Sequence, residues 1–152
     1  MRFLPSKSVS LRRSREILLK FPVGYDWGMK NPQCSPFPAA ARYKRTAVQS
    51  IEYDGSSLVI RIKADDIPEA RIVFQSPAGF RVLDERDLCE FWDHYNEKNG
   101  WLYEVEQGGW LDLERTRPLF NSHEFFTGLR EFFLVDEMCM SVLTVRPPEI
   151  SD

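Results

Sequence analysis

Apolar residues recur along the second two-thirds of the chain with two different periods, and the changes from one to the other mark out its elements. Val48 to Tyr53 and Leu58 to Lys63 alternate around Asp54-Gly55-Ser56-Ser57, which predicts a hairpin with a four-residue loop. That loop length sets Tyr53 opposite Leu58, Ile51 opposite Ile60 and Gln49 opposite Ile62, and leaves the other face largely polar. Ala70 to Gln75 reads as a third strand, ended by Ser76-Pro77 and Gly79. The period then lengthens: Leu88, Phe91, Trp92 and Tyr95 recur at i, i+3, i+4 and i+7 behind Asp84, a capping residue, with Glu85 and Asp87 in the first turn. A helix over about 84–98 is expected, closed by Asn99-Gly100, with Glu90, Asp93 and Glu97 facing water.

Strand periods return at Trp101 to Glu106 and at Trp110 to Glu114, followed by a loop with Pro118 and Asn121-Ser122 and a helical turn near His123 to Phe126. Arg130 to Val135 and Met138 to Val145 form the last hairpin around Asp136-Glu137. It places Phe133 and Met140 on one face and Leu134 and Cys139 on the other. A pair apolar on both faces belongs at the centre of a sheet. The expected class is α+β, a mainly antiparallel sheet of about seven strands packed against one principal helix.

Residues 100–114 decide which side chains share a face. A two-residue Gly108-Gly109 loop would mix charged and apolar groups on both faces. A three-residue loop, Gln107 to Gly109 with Gly109 left-handed, pairs Val105 with Leu111 and Tyr103 with Leu113. The opposite face then gathers Leu102, Glu104, Glu106, Trp110, Asp112 and Glu114, with Glu104 directly across from Asp112. Opposed like charges destabilise a hairpin, so either water and salt screen them or a cation completes the face. That cation would come from the N-terminal segment, a basic partner protein or a divalent metal, although no spaced ligand motif supports a metal. Glu104, Glu106, Trp110, Asp112 and Glu114 are therefore the candidate partner-binding residues, with Trp110 as an aromatic anchor.

Charge divides the chain. Residues 1–45 carry ten Lys or Arg against Glu16 and Asp26, a balance of +8, and residues 46–152 carry ten against 21 acidic side chains, a balance of -11. The expected organisation is a basic, proline-broken, irregular segment over 1–45, with a short helix around Leu11 to Lys20, and a single acidic domain over 46–152. Met29 is an alternative start of translation. The basic segment as an arm for nucleic acid is a further reading, which the acidic body opposes electrostatically. With 152 residues, 43% hydrophobic content and 11 Phe, the chain suffices for one well-packed core. Cys34, Cys89 and Cys139 are odd in number and without CxxC pairing, which reads as reduced thiols in a cytoplasmic protein. No apolar run is long enough to cross a membrane as a helix, and residues 1–20 lack the h-region of a secretory signal.

Catalytic chemistry finds little purchase. His94 and His123 are the only histidines and belong to no nucleophile or zinc motif, and no glycine pattern cradles a phosphate. No cofactor or metal is expected. The block Gly79-Phe-Arg-Val-Leu-Asp-Glu-Arg-Asp-Leu-Cys-Glu-Phe-Trp92, the tryptophan-flanked Gly108-Gly109 and the ending Ser141-Val-Leu-Thr resemble small uncharacterised bacterial proteins, which look like the single-domain immunity proteins of polymorphic toxin systems. The resemblance spans residues 46–150. It implies a cytosolic, non-enzymatic protein that neutralises a cognate toxin domain through an acidic surface. A small enzyme or ligand-binding domain, with a pocket lined by Tyr95, His94 and the hairpin carboxylates, is the alternative.

Overall fold

Period-two alternation builds the first layer of the fold. The computed structural model describes residues 31–152, and the expected helix over Leu11 to Lys20 and the alternative start at Met29 lie outside them. Among the described residues the strands are β1 (Gln33–Pro36), β2 (Ala47–Tyr53), β3 (Ser57–Ala64), β4 (Ile67–Gln75), β5 (Gly79–Asp84), β6 (Leu102–Gln107), β7 (Arg130–Leu134), β8 (Met138–Thr144) and β9 (Glu149–Ser151). Two short α-helices, α1 (Trp110–Arg115) and α2 (Ser122–Phe125), and a 3-10 segment over Glu85–Phe91 complete the helical part.

The strands form two antiparallel sheets, not the single sheet expected: β2-β3-β4-β9, and β1-β6-β7-β8-β5. In β3 every second side chain is buried, and Leu58, Ile60 and Ile62 meet Ile72 and Phe74 of β4 in the main core. Tyr53 stands opposite Leu58 and Ile51 opposite Ile60, as the loop length dictates. A register irregularity between Val48 and Ser50 then brings Val48, not Gln49, opposite Ile62, so that an apolar side chain packs on the core.

The five-stranded sheet is buried on both faces. Leu102, Phe132, Leu134, Met140 and Val142 face the four-stranded sheet, while Tyr103, Val105, Phe133 and Cys139 face the helical side. β7 and β8 are central, as expected of a hairpin apolar on both sides. Their register differs by one residue from that of a two-residue loop: Leu134 opposes Met140, and Phe133 opposes Ser141. Met140 therefore shares its face with Leu134, and Cys139 with Phe133. A single-residue slip exchanges the faces of a whole strand.

The helical segment starts where expected. Asp84 accepts a hydrogen bond from the Arg86 amide at 3.0 Å. It continues as 3-10 turns bent at Leu88 (φ -130°, ψ 34°) rather than as one α-helix to residue 98. The i, i+3 spacing of the buried Leu88 and Phe91 serves three-residue turns as well as α-turns.

The folded body also reaches further back than residue 46. Cys34 pairs with Val105 across β1 and β6, Tyr43 is 1% exposed, and the Trp101 indole donates to the Ala40 carbonyl at 3.1 Å. No helix among the described residues is long and apolar enough to cross a membrane.

Candidate functional site

The expected carboxylate hairpin does not form. Residues 110–115 are α1, so Glu104 has no Asp112 across from it. Glu104 lies on β6 between Ser35 and Phe132, on the side of the sheet that bears Leu102. Asp112 and Glu114 lie on α1, which packs Leu111 against Leu143 on the opposite side. Gly108 is the left-handed residue (φ +73°), while Gly109 is extended.

Each of these acids has a partner within the chain. Arg130 of β7 grips Glu104 with two parallel bonds, Nε to Oε1 at 2.6 Å and Nη2 to Oε2 at 2.5 Å. Glu106 accepts from the Ser35 hydroxyl. Asp112 accepts the Gly108 amide at 2.7 Å and pairs with Arg115 at 3.0 Å. Glu114 accepts the Trp110 indole at 2.9 Å and Arg117 at 2.7 Å, and these donors hold its carboxyl below the usual range. The cation that the sequence demands is thus Arg130 of β7, far along the chain from the basic segment.

What turns 110–115 into a helix is Glu131, a residue that sequence reasoning passed over. It is 1% exposed in the central strand β7, and its Oε2 accepts the Leu111 amide at 2.7 Å. The Trp110 amide also points to it. Gly109, the N-cap, has no side chain of its own, so a carboxylate from another layer satisfies the first turn. Burial raises the proton affinity of Glu131; the two amides, the Ser141 hydroxyl and Arg81 oppose the rise. Ser141 stands opposite both Arg81 of β5 and Phe133 of β7, on the face that also carries Glu131. Among the described residues, Glu131 Oε1, Ser141 Oγ and Arg81 Nε are the buried polar atoms without a well-formed hydrogen bond, and all three belong to this island. Trp110 covers it, with the Arg81 guanidinium 5.2 Å from its ring. A glutamate inside the apolar run Arg130 to Leu134 was the signal available in the sequence.

Unneutralised acid collects elsewhere, along the 3-10 segment and the turns after it. Glu85, Asp87, Glu90, Asp93 and Glu97 follow one another there, and the Glu85 amide donates to the Glu137 carbonyl at 3.3 Å, bringing the β7–β8 turn alongside. Partial burial, and then Asp84, Glu137 and Glu97, raise the Glu85 carboxyl. Arg86, the nearby cation, is held by Asp84 at 2.7 and 2.8 Å, which keeps the Asp84 carboxyl at about 2.

The two histidines lie on separate elements. His94 is exposed with its ring 6.1 Å from that of Tyr95, and His123 lies in α2. Tyr95 accepts the Cys34 amide at 3.0 Å and packs on Phe91 and Tyr103. No group of His, Cys, Asp and Glu among the described residues is arranged to hold a metal ion. Burial pushes the Cys34 thiol to about 12 and the Cys139 thiol to about 11, away from nucleophilic use. No family model, no curated protein and no solved structure matches the chain.

Proposed function

We propose that the protein is a non-enzymatic binding module of the immunity type, which holds and neutralises a cognate toxin domain through an acidic surface. The observation that carries this reading is the ridge of exposed acid along the 84–97 segment and Glu137, beside which partial burial, and then the neighbouring carboxylates, raise Glu85. Glu85, Asp87, Glu90, Asp93, Glu97 and Glu137 form no ion pair among the described residues. A basic partner surface would relieve their mutual repulsion and be drawn to it from a distance. The five residues read from the sequence, Glu104, Glu106, Trp110, Asp112 and Glu114, have internal partners and lie on both sides of one sheet, so the binding surface moves to the ridge. A cytoplasmic setting accords with three free cysteines.

The test is co-expression of the full chain with the product of an adjoining toxin gene. The wild type should protect growth and co-purify with the toxin. The triple variant Asp87→Lys, Asp93→Lys, Glu137→Lys should keep its circular dichroism and lose both. Undiminished protection by that variant would overturn the assignment of the ridge.

A further inference from the structure

Beyond the acidic ridge, the described residues form an open cleft of about 630 Å³ between the 36–46 segment and the 97–102 turn. Its volume lies within the range of small-molecule sites, roughly 300–1,000 Å³. Pro36, Phe37, Pro38 and Ala41 line it above the buried rings of Tyr43 and Trp101, which meet edge to face at 6.1 Å. The polar atoms of those rings are already engaged: the indole N–H donates to Ala40, and the Tyr43 hydroxyl donates to Asp152 at 2.7 Å. The interior therefore presents apolar surface.

The rim differs from the rest of the body. Lys44, Arg45 and Lys98 line it against a single acid, Glu97, whereas residues 31–152 as a whole carry 13 basic and 21 acidic side chains. Arg45 is tied to Asp65 at 2.7 Å, but Lys44 and Lys98 form no ion pair among the described residues. Arg45 also adopts a left-handed backbone (φ +47°), uncommon for a side chain of its size, and the Asp65 amide bonded to the Lys44 carbonyl at 3.0 Å holds that bend. The bend lies at the rim, beside Lys44.

We propose that this cleft binds a small anion with a planar apolar body, such as an aromatic carboxylate. The apolar part rests against Phe37, Pro38 and Ala41, and the charge lies at the rim beside Lys44 and Lys98. A largely apolar lining disfavours a strongly hydrated anion, and a rim with net positive charge favours an anion with an apolar body over its neutral analogue.

Isothermal titration calorimetry on the full chain tests this with three probes: naphthalene-2-carboxylate, the neutral naphthalene-2-methanol, and inorganic phosphate. The carboxylate should bind with one-to-one stoichiometry, and the other two at least about tenfold more weakly, a difference of roughly 1.4 kcal/mol. Lys44→Ala with Lys98→Ala should reduce carboxylate affinity by about tenfold and bring it level with the alcohol, while Ala41→Trp should fill the cleft and abolish binding. Absence of saturable carboxylate binding would overturn the proposal. So would affinity unchanged in either variant, or phosphate binding as tightly as the carboxylate. The toxin-protection assay reads the ridge and not the cleft, so the two readings fail independently.

Discussion

Gly109 should be the least replaceable glycine among the described residues, and the reason is the Glu131 cap. A Cβ at Gly109 would lie 2.5 Å from Glu131 Oε2, 2.6 Å from Val105 Cγ1 and 3.0 Å from Glu131 Cδ. The backbone there is extended (φ -98°), so alanine adopts it without strain and the whole cost is steric. Neither obstacle yields easily, because Val105 is 8% exposed in β6 and the carboxylate is held by the Leu111 amide. Displacing the carboxylate forfeits a charge-assisted hydrogen bond to a helix amide, about 1.5–3 kcal/mol. Overpacking against Val105 adds about 1–3 kcal/mol, and the stiffer unfolded chain returns about 0.4–1 kcal/mol. Gly109→Ala should therefore destabilise by about 3 kcal/mol, within a range of roughly 2–5. With a urea slope of about 1–3 kcal/mol per molar, the unfolding midpoint followed by far-ultraviolet circular dichroism should fall by about 1–3 M. Gly55→Ala is the control. Its Cβ meets nothing within 4 Å, but its φ of +93° is unfavourable for alanine, so it should cost only about 1–2 kcal/mol. A Gly109→Ala midpoint equal to or above that of Gly55→Ala would refute the cap.

Other expectations follow from the same geometry. Because burial raises the folded-state proton affinity of Glu131, its ionisation costs stability. The wild type should be most favoured relative to Glu131→Gln below the ordinary carboxylate range, and lose that margin as pH rises through the raised titration; urea midpoints across a pH series check the sign, and a margin that grows with pH would contradict it. Asp84 behaves oppositely: its carboxyl is lowered to about 2 by Arg86, so its contribution is present above the ordinary aspartate range and vanishes as pH falls through about 2, a loss that Asp84→Asn should not show. A double-mutant cycle on Glu104 and Arg130, whose side chains are 31% and 35% exposed, should give a coupling near the upper end of surface pairs, about 1 kcal/mol, and additive single effects would show that the pair contributes nothing. Cys139, 2% exposed, should resist a thiol reagent such as dithionitrobenzoate at neutral pH until the protein unfolds; rapid labelling of the native state would count against its burial.

Local pattern was a sound guide wherever the same residues make and bury an element. β3 alternates because one of its faces is core, and a four-residue loop fixed the pairing of Tyr53 with Leu58 without help from elsewhere. The chain Trp110-Leu-Asp-Leu-Glu114 alternates too, yet it is helical. Its N-terminal amides find their acceptor on β7, twenty residues away in sequence, and no window of local periodicity contains that partner. The 3-10 run over Glu85–Phe91 was misread for a related reason: its stripe of apolar residues is real, but packing against the sheet bends it at Leu88. Residues 33–45 looked irregular because β1 has four residues and two flanking prolines, too short a stretch to show a period.

The sequence by itself determined the α+β class, the antiparallel hairpins, the central place of β7 and β8, and an excess of acid in the body. Those properties follow from local spacing and composition. Tertiary structure decided the division into two sheets, the face each strand presents, and which carboxylates remain unpaired. Charge pairing depends on distance in space, so Arg130 could neutralise Glu104, and Glu131 could cap α1, only once β7 lay beside β6 and beneath the helix. That rearrangement is why the acidic surface lies along the 84–97 segment rather than around Gly108-Gly109.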